Sequence, residues 1–263
     1  MRLTAAGLTF FRQGRPIVRD VDLTLTPGRL LVVAGPNGVG KTTLIRLLLG
    51  LLPPDAGTVR INDRELTDIS RPELARAIAY VPQSGLPPFP LTVFEAVLLG
   101  RRPHLAWRPT AADLEHCAMA LCRLGLDDLS GRDLAAISGG QLQKVLLARA
   151  LAQETPCLLL DEPTSSLDLR HQLEVLNLLR DLARQEGKAV LASLHDINLA
   201  RRFADEVLLL APGRVHGFGD PETVLSVEAL RQVYGVDVCC LQGNGLTGLF
   251  PIGPSDEGER RIR

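Results

Sequence analysis

The chain has 263 residues, 46% of them hydrophobic, and its 29 basic and 30 acidic side chains leave a formal charge of −1. That balance offers no polyanion-binding surface, so no nucleic-acid partner is expected, while the hydrophobic share suffices for a sizeable core. No stretch approaches the roughly 18 apolar residues of a membrane span, and the opening Met-Arg-Leu-Thr-Ala-Ala-Gly lacks a signal peptide's apolar core.

Leu3 to Thr26 reads as short alternating strands turning at Gln13-Gly14-Arg15-Pro16, with a second turn at Pro27-Gly28. Leu30-Leu31-Val32-Val33-Ala34 is apolar without alternation, as in a strand buried on both faces of a parallel sheet. A glycine-rich loop follows, then a helical stretch from Thr42 to Leu52 closed by Pro53-Pro54-Asp55-Ala56-Gly57. Thr92 with Glu95, and Thr110 with Asp113, have capping-box spacing. From Thr92 to about Ala152 the chain reads as helices without a strand, an inserted helical subdomain. Strand-like runs return at Cys157 to Leu160, Ala189 to Ser193 and Val207 to Leu210. Between the first two, Leu169, Leu173, Leu176, Leu179 and Leu182 carry amphipathic spacing up to Gly187. This alternation predicts an α/β fold with a mostly parallel sheet. The cysteines at 117, 122, 157, 239 and 240 form no CxxC pair and read as reduced structural thiols. The tail from Ser255 is expected to fray.

Gly35-Pro36-Asn37-Gly38-Val39-Gly40-Lys41-Thr42, followed by Thr43, lies between a buried strand and a helix and matches GxxxxGK[ST]. Its glycines let backbone N–H groups turn inward onto phosphate oxygens, and the helix N-terminus adds partial positive charge. Lys41 would neutralise the β- and γ-phosphates and Thr42 would hold Mg²⁺. Cys157 to Leu160 then ends in Asp161-Glu162. Asp161, at the strand tip, would reach the Mg²⁺ shell, and Glu162 could face an attacking water as general base.

Ser138-Gly139-Gly140-Gln141 has capping-box spacing and starts a helix with free N–H groups, an anion-binding terminus. Following Ile137 and preceding the Asp-Glu strand, it resembles the signature of ABC-type ATPases, where it contacts the γ-phosphate held by the other subunit. Gln83, in Tyr80-Val81-Pro82-Gln83, resembles the family glutamine that touches Mg²⁺ and senses the membrane subunit. Ser165-Ser166-Leu167-Asp168 resembles the loop that communicates across the dimer, and His195 the histidine that orients water and γ-phosphate. The resemblance spans roughly residues 1 to 235. It implies a P-loop NTPase (RecA-like) core with an N-terminal antiparallel β portion, the core being 1–83 and 156–235. The inserted helical subdomain falls at about 84–155, and 236–263 form a C-terminal extension with a disordered end. ATP and Mg²⁺ are the implied cofactors, and ATP hydrolysis the implied activity. Where the family stacks an aromatic on adenine this chain has Arg12, preceded by Phe10 and Phe11, and either Arg12 or Phe11 could take that place.

Four stretches are similar to the ATPases of importers for ferric siderophores, haem and vitamin B12. They are Gly100-Arg101-Arg102-Pro103-His104 with Trp107, Leu151 to Pro156, His195 to Ala200, and Val233 to Asp237. They imply a metal-chelate importer subunit, with ferric siderophore ranked before haem and cobalamin. The implied partners are a second copy, polytopic permease subunits and, indirectly, a substrate-binding protein. The implied place is peripheral, on the cytoplasmic face of the inner membrane. A soluble non-transport ABC ATPase, such as a cofactor-assembly factor, and an ABC exporter subunit remain alternatives.

Overall fold

The computed structural model describes residues 1–83, 90–243 and 246–255. The first residues of the expected insert and the tail beyond Ser255 lie outside them. In chain order the strands are β1 (Leu3–Arg12), β2 (Arg15–Leu25), β3 (Leu30–Ala34), β4 (Ala56–Ile61), β5 (Arg64–Glu65) and β6 (Ile78–Val81). After these come β7 (Cys157–Leu160), β8 (Ala189–Ser193), β9 (Glu206–Ala211), β10 (Arg214–Gly219), β11 (Val236–Gly243) and β12 (Leu246–Pro254). The α-helices are α1 (Lys41–Leu48), α2 (Arg71–Ala77), α3 (Val93–Leu98), α4 (Ala111–Arg123) and α5 (Gly139–Ala152). They continue with α6 (Leu169–Arg184), α7 (Ile197–Phe203), α8 (Pro221–Val224) and α9 (Val227–Tyr234).

The larger sheet runs β10-β9-β3-β8-β7-β6, parallel except for β10. The sheet β2-β1-β4-β5 is antiparallel, and β11 and β12 form a separate hairpin. The fold is an α/β P-loop NTPase core with antiparallel N-terminal strands and a helical subdomain. Leu30, Val32 and Ala34 of β3 enter one core with the helices α3–α7, while Leu31 and Val33 enter another with α1 and the N-terminal sheet. β7 and β8 divide in the same way, which is why their sequences are continuously apolar.

Several expectations need correction. β1 and β2 are long, ten and eleven residues, and bend through register shifts. The first helix stops at Leu48, because Gly50 turns left-handed at φ +61 and the next two amides bond back to Arg46. Ala56 and Gly57 open β4 rather than ending a turn. A Cβ on Gly57 would sit 2.4 Å from the Gly7 carbonyl oxygen, so only glycine permits β1 and β4 to approach so closely. Leu169 is 79% exposed and off the buried stripe of α6, which Val175, Leu176, Leu179, Leu182 and Ala183 form. Ser255 does not fray: it is buried, and its amide donates to the Gly235 carbonyl at 2.9 Å.

Candidate active site

The glycine-rich loop leaves the C-terminal end of β3 and enters α1. Gly35, Gly38 and Gly40 all have positive φ, and a Cβ on Gly40 would lie 2.8 Å from the Ile17 carbonyl oxygen. The N-terminal sheet therefore bears directly on the loop through β2. Asn37 and Gly38 are exposed at its crown, Val39 is buried, and Thr42 and Thr43 are half-buried on the first turn of α1. Lys41 is only 5% exposed, its Nζ donating to the carbonyls of Gly35 at 2.9 Å and Pro36 at 3.2 Å. Burial lowers its pKa, opposed by the nearby carboxylates of Glu162 and Asp161.

Those carboxylates stand at the C-terminal end of β7, beside β8. The Ser193 hydroxyl donates to Asp161 Oδ1 at 2.8 Å and accepts from the Glu162 amide at 2.8 Å. Asp161 Oδ2 is buried and has no hydrogen-bond partner among the described residues. Glu162 adopts φ +50, and with Pro163 after it this strained backbone turns its side chain out of the sheet. Gln83 Nε2, just past β6, donates to Glu162 Oε2 at 2.6 Å, and His195 Nε2 contacts Glu162 Oε1. One carboxylate at the end of β7 is thus gripped from the ends of two parallel strands, β6 and β8.

Ser138, Gly139, Gly140 and Gln141 open α5 as expected. The Ser138 hydroxyl accepts from the Gln141 amide at 3.2 Å, and Gln141 Oε1 accepts from the Ser138 amide at 2.9 Å. These residues do not join Lys41. Ser138, Gly140 and Gln141 line a cavity of about 470 Å³ with Ser166, Leu167 and Asp168. Asp168 caps α6 through the His171 amide, and that bond with the His171 ring lowers its pKa. The turn between the two places is tied to the first by Ser165, whose hydroxyl donates to the Glu162 carbonyl at 3.2 Å. Arg12 pairs with Arg15 at the exposed β1–β2 turn, while Phe11 is 44% exposed with its amide on Asp55 Oδ2 at 2.6 Å.

Sequence reasoning passed over Ser193 as a site residue. The available signal was a hydroxyl ending an otherwise apolar strand, two residues before His195.

These residues fit a magnesium nucleotide. Mg²⁺ keeps several waters and is bound through one or two carboxylates plus substrate phosphates, so a single oriented carboxylate suffices. The unpartnered Oδ2 of Asp161, near the buried ammonium of Lys41, is that kind of group.

Residues 18–165 match the ABC transporter family. A cobalamin import ATP-binding protein (BtuD) of Halobacterium salinarum is 43% identical over 238 residues, 90% of this chain and 60% of that relative's length. The chain thus spans less than two thirds of that halobacterial relative. A hemin import ATP-binding protein (HmuV) of Streptomyces coelicolor is 44% identical over 230 residues, covering 88% of this chain and 82% of its own. Among solved structures, an inward-facing metal-chelate type ABC transporter superposes with a TM-score of 0.83 at 32% identity, over 97% of this chain and 98% of that one. On these matches the chain belongs to the ABC transporter family of ATP-binding proteins.

Proposed function

We propose that this chain is the ATP-hydrolysing subunit of an importer for a metal chelate, working as a head-to-tail pair docked on membrane permease subunits. The observation that carries the hydrolytic part is the single carboxylate of Glu162, held by Gln83 and His195 beside Asp161 and Lys41. Bound Mg²⁺ would screen the phosphate charge and orient the phosphates. Lys41 would turn from the Gly35 and Pro36 carbonyls to the β- and γ-phosphates. Thr42 and Asp161 would hold the ion, with Ser193 fixing the rotamer of Asp161. Glu162 would take a proton from the attacking water at one carboxylate oxygen. His195 and Gln83, one at each oxygen, would keep that carboxylate in place, and Gln83 would relay contact with the permease. Asn37 to Gly40 and Thr43 would cradle phosphate oxygens, and Arg12 or Phe11 would cover the adenine.

Because Ser138 to Gln141 and Asp168 border a separate cavity, they would complete the site of a second copy rather than their own. Residues 1–83 and 156–235 would form the rigid ATPase core, with about 84–155 as the moving helical part. The chain would then sit peripherally on the cytoplasmic face of the inner membrane, with a substrate-binding protein delivering cargo on the far side.

The chelate class draws on the relatives' names, which give hemin and cobalamin as cargo. Ferric siderophore, ranked first from the sequence, is the third chelate to test. The test is purification of the tagged chain from detergent-solubilised membranes. A polytopic permease recovered at equal stoichiometry supports import, and reconstituted uptake of hemin, cobalamin or a ferric siderophore assigns the cargo. Recovery with soluble assembly proteins alone overturns the transport reading.

A further inference from the structure

Lys144 stands in the second turn of α5, and none of the roles above falls to it. It is not a solvated surface lysine: its side chain is only 13% exposed, folded into the seam between α5 and α6. There its Nζ donates to Glu174 Oε2 at 3.3 Å, while Arg170 Nε, one turn back along α6, donates to Glu174 Oε1 at 2.9 Å. The carboxylate is thus oriented by its own helix where α5 meets it. Arg170 first, and Lys144 after it, lower the Glu174 pKa, so the acid is charged at ordinary pH.

Lys144 also lines the cavity of about 470 Å³ that Ser138, Gly140 and Asp168 border, and a neighbouring one of about 360 Å³ beside Arg170 and Glu174. Its side chain is therefore part of the partition between them. The walls of the first cavity come from separate parts of the chain. One is the start of α5, and the other is the turn from Thr164 to Asp168. That turn is fastened to α6, because Gln172 Nε2 donates to the carbonyls of Thr164 at 3.2 Å and Leu167 at 3.1 Å, and Asp168 caps the helix. The walls meet closely at Gly140, where an added Cβ would lie 3.2 Å from the Ser166 carbonyl oxygen. Such a contact stops the walls from closing further, but it does not stop them from parting. The Lys144–Glu174 bridge runs from α5 to α6 beside it and opposes that separation.

We infer that Lys144 is a positioning residue for the face offered to a second copy, fixing the spacing between the Ser138 helix end and the Ser166–Asp168 turn through its bridge to Glu174. The inference rests on the head-to-tail pairing proposed above. In a twofold pair the bridge occurs in both copies, so even a modest ion pair counts double in dimer affinity. The test is a double-mutant cycle of K144M, E174Q and the two together in the Glu162→Gln background, with dimerisation in Mg-ATP read by analytical ultracentrifugation. Each single change should weaken dimerisation about fivefold, and the double change no more than either. Mg-ADP affinity of the separate chain should be unchanged, and the melting temperature should move by no more than about 2 °C. A loss with K144M but not with E174Q overturns the proposal, since Lys144 would then act on the nucleotide or the second copy directly. Additive losses or no loss overturn it too, and so does a larger fall in melting temperature, the mark of general loosening. A Glu162→Gln parent that stays monomeric in Mg-ATP would instead bring down the pairing itself, and this inference with it.

Discussion

Ser193 shows how much a small side chain decides at this site. Its one hydroxyl spends its proton on Asp161 and its lone pair on the Glu162 amide. Ser193→Ala should strand a buried carboxylate oxygen and a buried amide together, costing about 1–3 kcal/mol in urea unfolding. Turnover should fall as well, because Asp161 would no longer be held in one rotamer. Glu162→Gln tests a different property. Glutamine keeps the shape and still accepts from Gln83, but it cannot take a proton. Single-turnover hydrolysis should drop by about 10²–10⁴ while Mg-ATP affinity is retained, and hydrolysis at the wild-type rate would remove Glu162 from the base role. Lys41, Thr42, Asp161 and Glu162 were legible because their chemistry follows from neighbours in sequence. Ser193 was not: its partners reach it only through the β7–β8 pairing, which sets Leu160 against Ala192.

At the scale of elements, two sequence stretches without an evident role turn out to meet. Gly100 lies against α5, where an added Cβ would come within 2.1 Å of the Arg149 carbonyl oxygen. Arg101 donates to Asp113 at 2.9 Å, to the Ala152 carbonyl at 2.8 Å and to Glu154 at 2.7 Å. His104 bonds the Gln153 carbonyl, and Gln153 reaches back to the carbonyls of Ala75 and Ile78. The bracket joins the helical part to β6. Gly100→Ala should force the segment after α3 away from α5 and destabilise the fold by about 1–3 kcal/mol in denaturant unfolding. Asp113 adds a pH signature. Bonds from the Thr110 amide and hydroxyl, and then from Arg101, hold its carboxyl down at about 2, below its usual 3.8. Because the folded-state value is the lower one, its contribution is complete above pH 3.8 and is lost as pH falls toward 2. Acid unfolding of Asp113→Asn should lack that component. The strands β3, β7 and β8 were readable from unbroken apolar runs. By contrast, α2 buries only Leu74 and passes into β6 without a break, so neither its period nor its end shows in the sequence. The β11–β12 hairpin was missed because Leu241, Phe250 and Ile252 are exposed, which removes the alternation that marks a half-buried strand.

For the whole molecule, the path of α5 decides how two copies would meet. The helix returns the chain from the C-terminal end of β6 to the N-terminal end of β7, a parallel neighbour, packing beneath β6 on the way. Its 14 residues run about 21 Å, beyond the roughly 13 Å of a four-residue strand. By this length its N-terminus, Ser138, would project toward the edge where the glycine-rich loop and the Glu162 turn lie, beside a cavity that Lys41 does not line. A twofold axis can then set each Ser138 over the other copy's loop, satisfying both surfaces at once. Glu162→Gln should accordingly shift from monomer to dimer in size-exclusion chromatography with Mg-ATP, and a profile unchanged by nucleotide would overturn the pairing. The placement of that one helix end also reaches into inheritance. In such a pair a damaged copy does not fail alone: it spoils a catalytic centre that its intact neighbour half owns. Cells carrying both versions would lose more output than the damaged fraction suggests, so defects at Lys41 or Ser138 would behave as dominant traits.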